Sequence, residues 1–290
     1  MARSSTIVST TTQAGTLYLV ATPIGNLADM SFRAVEVLRS VDYIACEDTR
    51  HSRTLCQHYD IRTKLISYYR EKEQQRANQL LAMLAEGKNI ALITDAGTPA
   101  LSDPGAVVVR LARQAGFPVT AIPGASALAA ALSLSGLGES AFYFGGFLPA
   151  TAKARQRSVR SLAALNCPLI FYEAPHRILA CLQDMLRILG DRQAQLFREL
   201  TKFHEEHLTG TLSQLCARLE SGVKGELVLV VSGAERDDAE RPEDIDGILR
   251  WHRDERAIPL KQAVSETAAQ LGLPRTQIYK AALAIWQEKE

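Results

Sequence analysis

Apolar residues recur along this chain in short unbroken runs at residues 16–21, 43–46, 64–67, 90–94 and 119–122. Each is rich in branched side chains and lacks a helical period, as expected of strands buried on both faces. Between the runs the pattern changes to that of amphipathic helices. Ser31 caps a helix that buries Phe32, Val35 and Leu38, and residues 73–86 form another. Residues 106–115 place Val107, Val108, Leu111 and Ala112 on one face before Gly116 ends the helix. Crossovers of this length join parallel strands, so the loops that follow the strands gather at one edge of the sheet. Open α/β sheets bind ligands at that edge, beyond the carboxyl ends of the strands.

A second α/β pattern begins at residues 141–145 and continues through a helix at 152–165 and strands at 168–172, 195–199 and 227–232. Ala127, Ala129, Ala130 and Ala131 give the intervening helix so little side chain that it can lie close to a neighbouring backbone or ligand, or simply pack tightly on a sheet. The expected organisation is a disordered tail (1–14), an N-terminal α/β domain with a parallel sheet (15–136), a second α/β domain with a mixed sheet (137–235), a charged linker (236–246) and a helical region (247–290). In the last, two helices meet at Gly272, and Ala268, Gly272 and Ile278 stand at helix-turn-helix spacing. Arg275, Gln277 and Lys280 are few for base reading, which favours packing or auxiliary RNA contact over duplex DNA recognition.

The loops hold the chemistry. Asp95-Ala96-Gly97-Thr98-Pro99 and Ser102-Asp103-Pro104-Gly105 place Gly, Pro and Asp where the chain turns sharply and exposes backbone amides. Pro123-Gly124-Ala125-Ser126 does the same after the fifth run, and Thr22-Pro23-Ile24-Gly25-Asn26 after the first. None has the Gly-x-Gly-x-x-Gly spacing of a dinucleotide site. Glu47-Asp48-Thr49-Arg50-His51-Ser52-Arg53 follows the second run: either Arg50 and Arg53 belong to a substrate site, or Asp48 caps a helix and the basic residues are solvated. Tyr68 to Lys72 adds aromatic and cationic groups suited to bases and phosphates. Lys153, Arg155, Arg157 and Arg160 form the densest basic cluster and the best candidate for a phosphate-backbone contact. Glu173-Ala174-Pro175-His176-Arg177 collects an acid, His176 and Arg177 at another strand end. His204 and His207 lack the four-residue spacing of a zinc-protease helix, so no metal is expected.

Composition narrows the compartment more than the partner. The 290 residues are 47% hydrophobic and 22% charged with a formal net charge of +1, which excludes a generally basic nucleic-acid coat but not a local patch. The five cysteines are scattered and never in a Cys-x-x-Cys pair, as in a reduced cytoplasmic protein. No apolar run reaches the roughly 18–20 residues of a membrane span. The first residues have Ser and Thr but no apolar signal core.

Taken in order, LVATPIGNL, CEDTRHSRTL, ITDAGTPALSDPG, IPGASA, FYEAPHR and RELTKFHEE resemble the motifs of the ribosomal RNA small-subunit methyltransferase I family, within the tetrapyrrole-methylase superfamily. The resemblance covers residues 15–234, with the helical tail similar too. It implies two α/β domains with S-adenosylmethionine in the cleft between them, a homodimer, and transfer of a methyl group to the ribose 2′-hydroxyl of a cytidine in the decoding region of 16S rRNA, within the small ribosomal subunit. By motif position it places Asp95, Ala96, Gly97, Thr98, Gly124, Ala125 and Ser126 around the cofactor with Pro23 opposite them, and Tyr172, Glu173 and Ala234 closing the cleft from the other domain. The absence of a phosphate cradle then has a reason, since S-adenosylmethionine carries no phosphate. A ribose hydroxyl is a poor nucleophile, and Glu47, Glu199 and Lys202, at strand ends, are the candidate bases, Lys202 only if its pKa is lowered.

Two other functions fit parts of the pattern. A tetrapyrrole C-methyltransferase of precorrin type would share the cofactor cleft, but needs neither the Lys153–Arg160 cluster, nor Arg50 and Arg53, nor the helical tail. The first loop also departs from the Gly-rich, Asp-ending form of the tetrapyrrole enzymes. A non-catalytic RNA-binding module built on the tail would not bind S-adenosylmethionine at all.

Overall fold

The computed structural model describes residues 14–137, 141–234 and 244–287. Nearly all of the expected tail and most of the expected linker lie outside these residues. The chain divides into two compact units after Ala234.

The first unit contains two sheets. In the first, β1 (Leu17–Val20), β2 (Tyr43–Cys46), β3 (Lys64–Ser67), β4 (Ile90–Leu92) and β5 (Val119–Ile122) are all parallel, in the order β3-β2-β4-β1-β5. Period-two alternation serves both faces. Ile44 and Cys46 of β2 point to one core with Ala34, Leu38 and Cys56 from α1 (Phe32–Ser40) and α2 (Thr49–His58). Ala45 points to the other, with Leu80, Leu84, Val108 and Ala112 from α3 (Glu73–Ala85) and α4 (Ala106–Gln114). Ser31 caps α1 as expected, its hydroxyl accepting from the Ala34 N–H at 3.1 Å. The buried face is the expected one except at its start: Leu38 is buried with Ala34 and Val35 packs against their core, whereas Phe32 is 92% exposed. Phe32 is the first residue of α1 and lies off the stripe that Ala34 and Leu38 make at a spacing of four.

The small-residue helix α5 (Ala127–Ser135) leads to the second sheet, where β6 (Tyr143–Phe147), β7 (Leu169–Glu173), β8 (Gln193–Arg198), β9 (Glu206–Thr211) and β10 (Leu227–Val231) stand in the order β6-β7-β10-β8-β9. β6 and β7 are parallel, while β10 runs antiparallel to both β7 and β8, and β9 antiparallel to β8. One face is covered by α6 (Ala152–Ser161), α7 (Ile178–Leu189) and α8 (Leu212–Arg218), which bring Val159, Leu182 and Leu215 onto Leu169, Phe171 and Leu229. The other face receives α5, whose Ala131 is buried among Ile170, Phe197, Val228 and Val230. Ala131 therefore serves tight helix–sheet packing, while Ala127 lines a cavity and Ala129 is exposed. β9 has no sequence expectation because it is a polar edge strand with a single large apolar residue, Leu208.

The second unit holds α9 (Ile245–Asp254), α10 (Leu260–Leu271) and α11 (Arg275–Gln287). Two helices are expected and three are found. Charged neighbours obscure α9 in the sequence, yet Asp244 caps it and Ile248 and Leu249 are buried. Gly272 joins the last two with φ +64, the left-handed cap geometry that glycine adopts at little cost.

Candidate active site

The loops after β1 and β4 are tied together at the carboxyl edge of the first sheet. Thr22 N–H donates to the Gly97 carbonyl at 2.9 Å, and Gly97 N–H returns the bond at 3.1 Å. The Thr22 hydroxyl also donates to the Thr94 carbonyl at 3.0 Å. Gly97 has φ +84, and a Cβ there would stand 3.3 Å from Ile24 Cγ2, so both conformation and space favour glycine.

Beyond this edge lies a cavity of about 430 Å³. Glu47, Thr94 to Thr98, Leu101 to Asp103, Ser126 and Ala127 form one wall; Phe147, Tyr172 to Pro175, Phe197, Leu200 and Gly225 to Val228 form the other. Its size and mixed walls suit a small-molecule ligand. A second cavity of about 370 Å³ adjoins it, sharing Ile24, Thr94, Asp95, Ala96 and Glu226 and adding Pro23, His51 and Lys202. The Tyr172 hydroxyl accepts from the Leu128 N–H at 3.1 Å, linking the second sheet to the first turn of α5.

Negative charge converges on the larger cavity. Glu47 stands exposed at its rim, and its carboxyl is pushed above the ordinary range by partial burial and then by the nearby carboxylates of Asp95 and Asp103. Burial likewise raises Asp103, against a hydrogen bond from Thr94. The cation closest to this group in effect is Arg70, whose guanidinium donates to the Ser102 carbonyl at 2.9 Å. A site of this kind favours a cationic ligand and disfavours a phosphate.

Glu199 and Lys202 form a separate ionic knot. The Lys202 ammonium lies 2.9 Å from a Glu199 carboxylate oxygen and 3.0 Å from one of Glu226. The Glu226 N–H, followed by the ammonium, holds Glu199 below the ordinary carboxylate range. Partial burial works against the Lys202 charge, but its bonds to Glu199 and Glu226 outweigh it and raise its pKa. A lysine base requires a lowered pKa, so Lys202 is corrected from candidate base to fixed cation, and Glu199 is a weakened base. Glu47 alone among the three is shifted in the useful direction.

Other expected residues divide. Asp95, Ala96, Gly97, Thr98, Ser126, Tyr172 and Glu173 line the larger cavity and Pro23 the smaller. Gly124 and Ala125 stand behind the wall: a Cβ on Gly124 would meet Ala21 Cβ at 3.0 Å, and the Ala125 carbonyl accepts from the Thr98 hydroxyl at 3.4 Å. Ala234 is displaced to the opposite edge of its sheet. Because β10 is antiparallel to β7, Leu227 pairs with Glu173 at the cavity, while Val231 pairs with Leu169 and Ala234 N–H bonds the Leu165 carbonyl. The strand's beginning, not its end, reaches the site.

Among the basic residues, Arg155 is no phosphate contact. It is 6% exposed and its guanidinium holds the buried Asp184 at 2.7 Å. Lys153, Arg157 and Arg160 occupy the solvent face of the same helix, which ends at Ser161 rather than at 165. Arg177 is engaged by the buried Glu173 at 3.1 Å and by the Leu148 carbonyl, which ties it to structure instead of substrate. His176 is exposed beside it. Asp48 caps α2 through the Arg50 N–H at 2.8 Å and pairs with the Arg50 side chain at 3.1 Å, and Arg53 is solvated. That is the capping alternative.

The residues missed are mostly those of the second wall, Phe197, Leu200 and Gly225 to Val228. Their signal was an apolar strand whose direction local sequence does not encode. Cys46, Cys56, Cys167, Cys181 and Cys216 are free thiols, with burial pushing Cys46 up to about 11 and Cys181 to about 12. Neither is poised as a thiolate nucleophile. Among the described residues no group of three or more His, Cys, Asp or Glu is placed to hold a metal, and no helix is long and apolar enough to cross a membrane.

A parallel sheet and a mixed sheet enclosing such a cavity define a methyltransferase of the tetrapyrrole methylase class, and residues 16–216 match the family described as Tetrapyrrole (Corrin/Porphyrin) Methylases. The fold is shared with uroporphyrin-III-C-methyltransferase from Thermus thermophilus, at TM-score 0.55 and 20% identity over 74% of this chain and 94% of that one. The methyltransferase CobJ gives TM-score 0.59 and 18% identity over 76% and 95%. Residues 239–285 match the RsmI C-terminal HTH domain. Ribosomal RNA small subunit methyltransferase I of Synechocystis sp. is 46% identical, covering 93% of this chain and 98% of its own. The Escherichia coli O157:H7 protein of that name is 44% identical over 93% and 95%, and the Bacillus subtilis protein 40% over 92% and 94%. The chain belongs to the ribosomal RNA small subunit methyltransferase I family.

Proposed function

We propose that this protein methylates the ribose 2′-hydroxyl of a cytidine in the decoding region of 16S rRNA, within the small ribosomal subunit, using S-adenosylmethionine. The observation that carries the choice of acceptor is coverage. Relatives named for ribosomal RNA match 93% of the chain, whereas the uroporphyrin enzyme matches 74%. The carboxylate-lined cavity suits the donor, a phosphate-free nucleoside bearing a sulfonium cation. A neighbouring solved structure of the same fold, uroporphyrin-III C-methyltransferase from Thermus thermophilus, is described as a complex with S-adenosyl homocysteine.

When bound, S-adenosylmethionine supplies an activated methyl group for in-line displacement. The backbone of Asp95 to Thr98, the Ser126–Ala127 turn and the Tyr172 ring would hold it. Catalysis by the protein is then mainly alignment of oxygen, methyl and sulfur. Glu47, at the rim and raised toward neutrality, accepts the hydroxyl proton as the oxygen attacks. Lys202, neutralised by Glu199 and Glu226, fixes the wall of the adjoining cavity. Exposed Phe142 and Tyr143, at the start of the edge strand β6, favour a homodimer. The reading places the enzyme in the cytoplasm with the ribosome.

The test is transfer of labelled methyl from S-adenosylmethionine to assembled small subunits, with a precorrin-type tetrapyrrole in parallel. Mass mapping is expected to find one methyl, on the ribose of a decoding-region cytidine. Transfer to the tetrapyrrole alone, or to a base rather than a ribose, overturns the proposal.

A further inference from the structure

The turn at residues 199–205 presents a side chain that neither the core nor the cavities use. Phe203 is 96% exposed, so its ring stands in solvent. The backbone beneath it is nonetheless tightly fixed. Glu199 and Thr201, neither of them glycine, have φ 51 and φ 67. Thr201 N–H donates to the Glu205 carboxylate at 2.7 Å, Lys202 N–H to the Glu199 carbonyl at 3.0 Å, and Glu205 N–H to the Lys202 carbonyl at 3.1 Å. The ionic knot of Lys202 with Glu199 and Glu226 anchors the same turn to the cavity wall. Strained backbone over-determined by its surroundings is characteristic of ligand clamps. His204 lies edge-on to Phe203, ring centroids 5.1 Å apart at 81°. A rigid arm therefore holds a wet aromatic ring next to the residue that lines the smaller cavity with Pro23 and His51.

We infer that Phe203 is a stacking platform for the nucleobase adjoining the methylated nucleotide, an inference that rests on the RNA reading of the site. A ribose hydroxyl reaches a cavity at the sheet edge only if its nucleotide leaves the stack, and the neighbouring base then loses a stacking partner. An aromatic face replaces it without regard to base identity. Charge limits what the turn can offer RNA. Glu199 and Glu226 neutralise Lys202 and Glu205 adds a further carboxylate, so the turn disfavours a phosphate, and what remains for RNA is the ring.

Steady-state methyl transfer to assembled small subunits, measured for wild type, Phe203→Ala, Phe203→Leu and Phe203→Tyr, tests this directly. Phe203→Ala is expected to raise KM for the subunit about tenfold, the size of one lost base stack. kcat and S-adenosylmethionine affinity by calorimetry should be unchanged. Phe203→Tyr restores KM and Phe203→Leu does not, because apolar area without a π face is insufficient. Wild-type KM in Phe203→Ala, or rescue by leucine, overturns the stacking role while leaving methylation intact. A change in sedimentation of Phe203→Ala overturns it in favour of a contact between copies. If the wild-type enzyme transfers no methyl to subunits, both the function and the platform fall.

Discussion

Lys202 runs so close to Gly25 that a Cβ on the glycine would stand 2.4 Å from Lys202 Cγ and 2.9 Å from Thr201 Oγ1. The loop after β1 thus receives the turn after β8 at a point where only a hydrogen fits, and Gly25 also holds φ +154. Gly25→Ala is expected to lower stability by at least about 1 kcal/mol, since alanine is strained where φ is positive. It should also reduce kcat/KM by displacing the wall of the smaller cavity. Chemical denaturation and methyl-transfer kinetics check the two effects, and an alanine variant as stable and active as wild type would show that the turn yields freely.

Glu47→Gln is expected to lower kcat about 10²–10⁴-fold, the range for loss of a general base. Cofactor affinity should remain within a few-fold. In wild type the rate rises with pH as the Glu47 carboxyl, held above the ordinary value of 4.5, gives up its proton. Glutamine has no such proton, so that limb of the single-turnover profile should disappear. Persistence of the limb would move the base elsewhere.

Arg155 and Arg157 are two residues apart and should behave oppositely. Arg155→Ala removes the buried partner of Asp184, which keeps Arg187 and Gln156 at 2.9 Å each, so a loss of about 1–3 kcal/mol in denaturant unfolding is expected. Arg157→Ala, on the exposed face, should change stability by less than about 0.5 kcal/mol. If Arg155→Ala unfolds like wild type and loses only RNA binding, the buried pair is not structural.

These contrasts show what sequence conveys here. The parallel sheet was legible because strands buried on both faces are apolar throughout, and β2, β3 and β5 fall on their expected residues. The ligand edge followed from the crossovers, and Asp95 to Thr98 lie there. Burial of Arg155 was not legible, because a charged residue on a basic helix reads as solvated until Asp184 is brought to it from α7. The side of the cleft made by β10 was misplaced at Ala234 because a wholly apolar run such as LVLVV does not encode the strand's direction in the sheet. Glu47, Glu199 and Lys202 all stood at strand ends; only their neighbours distinguish a raised acid from a neutralised pair.

The Lys202 knot sets a pH window for stability. A lysine raised by its partners contributes stability fully below the ordinary value of 10.5 and loses it as pH rises through the raised value. Glu199, lowered, contributes above 4.5 and loses its contribution as pH falls through the lowered value. Lys202→Met should remove the alkaline loss and bring the acid loss to higher pH, since the Glu199 carboxylate then lacks its cation. Unfolding curves from acid to alkaline pH test both limbs; an unchanged alkaline limb counts against the knot.

The alanine helix α5 has a further consequence. It packs on the second sheet, with Ala131 wholly buried among Ile170, Phe197, Val228 and Val230. The second wall is therefore backed by a single methyl group. A bulkier residue at position 131 would press on Phe197 and Val228 from behind, so the shape of the cavity is set in part by a residue that does not line it.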